Sequence, residues 1–436
     1  MKRLMKRVVL LSNFLLVSLL ICAQQPLRLP DAVNIALKNS LDIQLVKNKI
    51  AADSINNNIG VAGGLPLVTG NISDNEQLSS INQKLNTGAT INRAAATTNT
   101  LNVGVTGSIL LYNGGRVIAT KKRLAELELQ SKQELNSQVQ NILADVMTGY
   151  YDIVRQQSYS KTIDRSIDAA NKKLEIVKAS QKLGLANNAD LFQAQIDLNV
   201  LLQAQQSQWL VIDQAKSELL RLLTLKADSS IIIEDTIIVD QTISLDAVLA
   251  GISKNADIIA ADEQIKINQL VVKETAALRY PSVRATSGFN FARNQAAAGQ
   301  LLLNQSYGPS IGVTVGIPIY NGSIYRRQAK TAQLNVHNAE IQKKILVRDY
   351  NAEAVKMYQS YTDALKRLET EKKNYQLSGQ LLDLSLKRFQ FRQATIVEVK
   401  NAQQNFEESG YRMVNLNFAA KSAEITLKKL ANQLSL

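Results

Sequence analysis

The sequence predicts a mainly helical chain carrying four β-strands, built as two copies of one unit. Three observations lead there. No proline falls between 67 and 280 or after 318, so nothing there breaks a long helix. Short stretches in each half alternate apolar with small or polar residues, as in Val313, Val315 and Ile317 against Gly312, Thr314 and Gly316. The halves also repeat in register. Asn113-Gly114 returns as Asn321-Gly322 and Asp190 as Glu398, both 208 residues on. Asp31, Asp42 and Pro66 return as Asp246, Asp257 and Pro281, all 215 residues on. The first copy thus has seven extra residues between Pro66 and Asn113. They read as a surface loop of variable length.

Residues 1–23 read as a secretory signal. Lys2, Arg3, Lys6 and Arg7 precede an apolar core from Val8 to Ile21, and Cys22-Ala23 form the small-residue site. Cleavage after Ala23 is expected; lipidation of Cys22 is the alternative, against which the large Ile21 counts. Cys22 is the only cysteine, so cleavage at Ala23 leaves no thiol chemistry. The formal charge is +13, and removing the four signal cations leaves +9. The cations are scattered among acids along the helices, and the chain is exported, so no nucleic-acid partner is expected.

The first repeat, 24–225, opens with a helix from Pro30 to about Gly60, where Ala32, Val33, Ala36 and Ile43 keep helical spacing. Gly60-Val61-Ala62-Gly63-Gly64 ends it. No Lys-Ser/Thr pair follows, so this is no phosphate loop. The strand pair, 65–111, is expected as strands Leu65 to Asp74 and Thr100 to Leu111, with a polar loop from Gln77 to Asn99 between them. A helix follows from Gly114 to Lys182. At 1.5 Å per residue it spans on the order of 100 Å, which exceeds a compact domain. Val139, Ile142, Val146, Tyr150 and Ile153 form its packing stripe. The turn at 183–188 leads to a return helix from Ala189 to Leu223, completing a hairpin over 114–225.

The connector, 226–243, holds Ile231-Ile232-Ile233 and Ile237-Ile238-Val239 around Glu234-Asp235, and a short strand or belt is expected. The second repeat, 244–436, has its strand pair at 281–320, with strands Val283 to Ala292 and Ile311 to Ile319, and its helical hairpin at 322–434. Strands of about ten residues suit a tilted crossing of a bilayer. Four cannot close a barrel, and open edges cannot face lipid. Several copies would have to share one barrel.

Single histidine His337 has no supporting motif, so no catalytic triad, metal cluster or cofactor is expected, and the chain is not read as an enzyme. An exported enzyme and a secreted coiled-coil structural protein remain as rivals. The coiled coil explains the helices but not the in-register strand pairs.

The duplicated unit resembles the TolC-type outer-membrane efflux proteins. The resemblance rests on Arg279-Tyr280-Pro281-Ser282-Val283, Leu111-Tyr112-Asn113-Gly114-Gly115-Arg116, Gly184-Leu185-Ala186 with Asp190-Leu191-Phe192-Gln193-Ala194-Gln195, and Ala394-Thr395-Ile396-Val397-Glu398-Val399-Lys400-Asn401-Ala402. It implies a homotrimer with a twelve-stranded β-barrel in outer-membrane lipid and a periplasmic α-barrel of long helical hairpins. It also implies a membrane-fusion adaptor and an inner-membrane efflux or secretion pump as partners. Glu398 matches the family's acidic constriction. Asn401 stands where a second acid is usual, and Asp190 is a further candidate for the ring. An ordinary acid at a helix start is the competing reading of Glu398. The turns Gly184-Leu185-Ala186-Asn187 and Arg392-Gln393-Ala394-Thr395 are candidate adaptor-docking tips. Arg392 stands opposite Gly184, so the second turn is expected to differ in conformation or in its contact.

Overall fold

A computed structural model describes residues 26–434 of the chain, and the expected signal segment lies outside them. The order is α1 (Leu29–Asn39), α2 (Leu41–Asn56), β1 (Leu67–Lys84), β2 (Thr90–Tyr112), α3 (Arg116–Lys182) and α4 (Asn188–Leu222). The second half follows with α5 (Leu245–Ile252), α6 (Ala256–Ala277), β3 (Ser282–Ala296), β4 (Leu303–Gly316), α7 (Ile324–Gln390) and α8 (Ile396–Leu430).

The long helices α3 and α7 each have 67 residues, and α4 and α8 each have 35. All four boundaries of the first hairpin return 208 residues later. The left-handed backbone positions repeat with them. Gly114, Gly115, Gly184 and Thr224 correspond to Gly322, Ser323, Arg392 and Asn432, and all eight have positive φ. Duplication has preserved backbone geometry where the side chains have changed.

Three expectations need correction. The opening helix is two helices, because Ser40 interrupts it and its Oγ accepts the Ile43 N–H at 3.2 Å. Such a cap satisfies a helix start locally. Asn255, 215 residues on, does the same for the Asp257 N–H at 2.9 Å, between α5 and α6. Second, β1 and β2 run 18 and 23 residues, and the polar stretch 77–99 continues the hairpin. The turn is confined to 85–89, closed by the Leu85 N–H to Ala89 O at 2.8 Å, with Gly88 at φ +85°. The seven extra residues of the first copy therefore lengthen a hairpin. Backbone pairing needs no apolar side chains, which is why the alternation stops before the strand does. Third, the connector has no assigned strand.

The sheet is antiparallel in the order β1-β2-β3-β4. Leu67 faces Ser108 in the first hairpin, and Ser282 faces Gly316 in the second. These are the same pairings shifted by 215 and 208, so the registers are identical.

Contacts divide the chain into two units. One holds residues to Leu45, Leu135–Ile258 and the chain from Val347 onward; the other holds Val46–Glu134 and Ile259–Leu346. In the first unit, Ala32, Val33, Ala36 and Ile43 pack with Val146, Tyr150 and Ile153, with Leu219 and Leu223, and with Ile233 of the connector. The predicted α3 stripe is therefore the core stripe. The connector lies along it as an irregular belt. The Leu27 N–H donates to Ile232 O at 2.7 Å, and Tyr150 Oη donates to Asp235 at 3.1 Å. In the second unit, α2 packs on α3 (Lys49–Glu134, 2.5 Å), α3 on α6 (Arg123–Glu274, 2.7 Å) and α6 on α7 (Lys343–Asp262, 2.6 Å). The sequence of neighbours is α2-α3-α6-α7, and it runs parallel to that of the strands.

Candidate functional site

The sheet has two chemically opposed faces, set by the period of two along each strand. On one face, Ile72, Val103, Phe291 and Tyr307 form a row across all four strands, and Val105, Phe289 and Pro309 lie in the next. Ile311, Val313 and Val315 extend the apolar band along β4. From Tyr307 to Val315 it covers about 27 Å along the strand, which at a tilt near 40° approaches the ~25 Å apolar band of outer-membrane barrels. The other face carries Asn71, Gly104, Asn290 and Gly308 in one row and Thr69, Thr106, Gly288 and Ser310 in another. Apolar on one side and polar on the other is what lipid outside and water inside require. Among the described residues, no helix is long and apolar enough to cross a membrane.

At the far ends of the hairpins, both turns have the same backbone. The Gly184 N–H bonds Gln181 O at 2.8 Å and the Leu185 N–H bonds Ser180 O at 2.9 Å. In the second turn, the Arg392 N–H bonds Phe389 O at 3.0 Å and the Gln393 N–H bonds Arg388 O at 2.8 Å. Both are the helix-ending motif that needs one left-handed residue. Gly184 adopts it at φ +73° and Arg392 at φ +61°, so the expected difference in conformation is absent. A side chain makes that conformation costly. Arg392→Gly is accordingly expected to stabilise the hairpin by about 1 kcal/mol, and Gly184→Arg to destabilise it by a similar amount. Thermal unfolding of the two variants would check both signs.

Asp190 and Glu398 both sit at the third position of a return helix. Asn187 Oδ1 accepts the Asp190 N–H at 2.8 Å, and Asp190 Oδ2 accepts the Asn187 N–H at 3.5 Å. Thr395 Oγ1 accepts the Glu398 N–H at 3.2 Å, and Glu398 Oε1 accepts the Thr395 N–H at 3.2 Å. Both acids thus complete reciprocal capping boxes. Arg388 adds an ion pair to Glu398 at 3.8 Å. Asn401, one turn further along α8, is exposed. Leu185, Asn187, Gln193 neighbour Phe192 and second-turn Gln393 and Thr395 are also exposed; Ala186 and Ala394 are half-buried. Sequence reading missed Leu183 and Phe391. They occupy matching positions, each 73% exposed, just before the left-handed residue.

A buried ionic cluster lies behind the tips. Lys173 of α3 is fully buried and donates to Asp197 of α4 at 2.7 Å; Lys400 of α8 reaches the same carboxylate at 3.2 Å. Burial pushes the Asp197 carboxyl up, but hydrogen bonds from Lys173 and Gln193 outweigh it and leave the group below the usual carboxylate value. Glu407 nearby is pushed up, chiefly by burial. One carboxylate therefore joins three long helices. Among the described residues, no His, Cys, Asp and Glu group has the composition of a metal site.

A two-faced sheet and paired long helices are also the parts from which solved outer-membrane channels are built. Residues 32–226 match the family model described as outer membrane efflux protein. The fold is also that of solved channels. CusC matches at 16% identity with a TM-score of 0.75, covering 94% of this chain and 92% of that one. VceC from Vibrio cholerae matches at 17% and 0.75, covering 93% and 96%. The CmeC outer membrane channel of Campylobacter jejuni matches at 16% and 0.74, covering 93% and 85%. No curated protein matches the sequence as a relative. Residues 32–226 thus resemble outer membrane efflux proteins in sequence, and the fold over more than nine-tenths of the chain is that of solved outer-membrane channels.

Proposed function

We propose that three copies assemble into one passive duct. Each gives four strands to a twelve-stranded barrel and four helical columns to a periplasmic α-barrel. The carrying observation is a four-stranded sheet with one apolar face, one polar face and both outer strands unpaired. Open edges are not tolerated in lipid, so other copies must supply the missing pairings. The duct serves an inner-membrane efflux or secretion pump through a periplasmic membrane-fusion adaptor and carries out no chemistry itself. The adaptor docks at the tips, 184–187 and 392–395, where Leu183 and Phe391 expose apolar side chains.

Purified protein is expected to run as a heat-modifiable trimer and to give stepwise conductance in planar bilayers. Deleting the gene is expected to raise sensitivity to toxic compounds or to stop export of a secreted product. A deletion strain unchanged in both would end the transport reading.

The constriction is assigned to Asp190, Glu398 and Asn401. Glu398→Gln separates charge from capping, because glutamine also serves at the third helical position. Stability is expected to stay within about 0.5 kcal/mol of the parent. Cation preference or block is expected to fall, since a carboxylate ring favours cations. Unchanged selectivity, read as reversal potential across a salt gradient, would remove Glu398 from the constriction.

A further inference from the structure

The polar face of the sheet holds a single ionisable side chain. Every second residue of Leu67–Gln77, Thr98–Leu110, Ser282–Ala296 and Asn304–Gly316 lies on that face, and all but Arg284 are uncharged. Arg284 stands near the start of β3, in a row with Leu110 and Thr314. It is exposed, and its Nη1 donates to Ser108 Oγ at 3.4 Å. This is the end of the sheet at which β2 passes into α3.

Arg284 shares a cavity of about 470 Å³ with Arg116, Asn113, Ser282, Tyr280 and Tyr325. Each of these side chains can donate a hydrogen bond, and no carboxylate lines the cavity. Asn113 Oδ1 accepts the Val117 N–H at 3.3 Å, while the Asn113 amide nitrogen is buried without a partner. Arg116 is the first residue of α3, whose first turn has no acid, although the helix dipole disfavours a cation there. No Asp or Glu occurs from Gln77 to Ala125 or from Thr275 to Ala339, so no acid close in the chain neutralises either arginine. Moving Arg116 forward by 208 and Arg284 back by 215 gives Ile324 and Thr69, so each chain carries the pair once.

We infer that this cradle binds anions, and that three copies set it as a ring selecting carboxylate- or phosphate-bearing solutes where the strands meet the helices. This rests on the assembly reading above and gives the duct a second selecting section, opposite in sign to the acids at the tips. Arginine suits the task because its guanidinium stays charged and its fork matches both carboxylate and phosphate. Rings of arginine or lysine serve anion pores in the same way. Position excludes a lipid headgroup as the occupant, because Arg284 lies on the polar face and lipid covers the other. Arg293 lies on that other face, in a row with Leu101 and Gln305.

Full-length protein in planar bilayers of phosphatidylcholine tests this. Arg284→Gln is expected to shift the reversal potential in a potassium chloride gradient towards cations. The permeability ratio should change about fourfold, the effect of three screened unit charges about 10 Å from the axis. Arg284→Lys should keep the parent ratio, and Arg293→Gln, which removes a charge from the lipid side, should leave it unchanged. Sodium tripolyphosphate should block the parent, and Arg116→Gln should raise its half-blocking concentration about tenfold, the loss of one charge-assisted contact. A conducting Arg284→Gln channel with the parent's selectivity would overturn the ring and leave the duct standing. So would an equal shift from Arg293→Gln, which would make net charge rather than position the cause. If Arg284→Gln is not recovered in the membrane, undiminished tripolyphosphate block of Arg116→Gln would itself overturn the cradle. A parent protein without conductance would overturn the duct and the ring together.

Discussion

Asp197→Ala is expected to destabilise the hairpin region by about 3–5 kcal/mol, the cost of leaving one partner of a buried ion pair alone. Lys173 has no exposed surface and donates to this carboxylate at 2.7 Å. Without Asp197 its ammonium would be desolvated with no fixed counter-charge, and Glu407 is itself held towards its neutral form by burial. Lys400, 42% exposed, would return to water at little cost. Removing both charges, as Lys173→Met with Asp197→Leu, should recover most of the loss. Hydrogen exchange across 170–180 and 190–200 would resolve the effect. A loss below about 1 kcal/mol would show that water, rather than Asp197, satisfies Lys173. The pH dependence has a definite sign. The native Asp197 carboxyl lies below its usual value. Its contribution is therefore complete above the unfolded value of about 3.9 and disappears as pH falls through the lower native one. Asp197→Asn should flatten this acid limb.

Phe406→Ala is the second large effect, again about 3–5 kcal/mol, through lost burial and the cavity left behind. Phe406 is fully buried, stacked on Tyr375 at 4.9 Å, with the Arg165 guanidinium 5.0 Å from its ring. Leu382, Val399 and Ala402 complete the cluster. Phe406→Leu should recover a substantial part. A thermal midpoint for Phe406→Ala equal to the parent's would contradict this packing.

The long helices were legible because their signals are local: absence of proline, a stripe stepping by three and four, and a turn at each end. Both capping boxes were open to reading as well, as Asn187-x-x-Asp190 and Thr395-x-x-Glu398. The outer parts of β1 and β2 were not. From Gln77 to Asn99 the side chains are mostly polar, and their regularity lies in backbone pairing with a partner strand. Arg392 misled for a related reason: the hydrogen bonds that close its turn impose a left-handed residue regardless of type. Lys173 looks like any helical lysine until α3, α4 and α8 converge on Asp197. No spacing within one helix encodes that meeting.

The equal hairpins, 67 residues out and 35 back in each half, act as a pair of rulers. Deleting one residue midway along α3 would draw its end back by about 1.5 Å and turn every later side chain by about 100°. Its tip would stop short of the other and present a different face. Tolerated length changes in this chain should therefore come in compensating pairs, or be confined to the strand hairpins, where the two halves already differ.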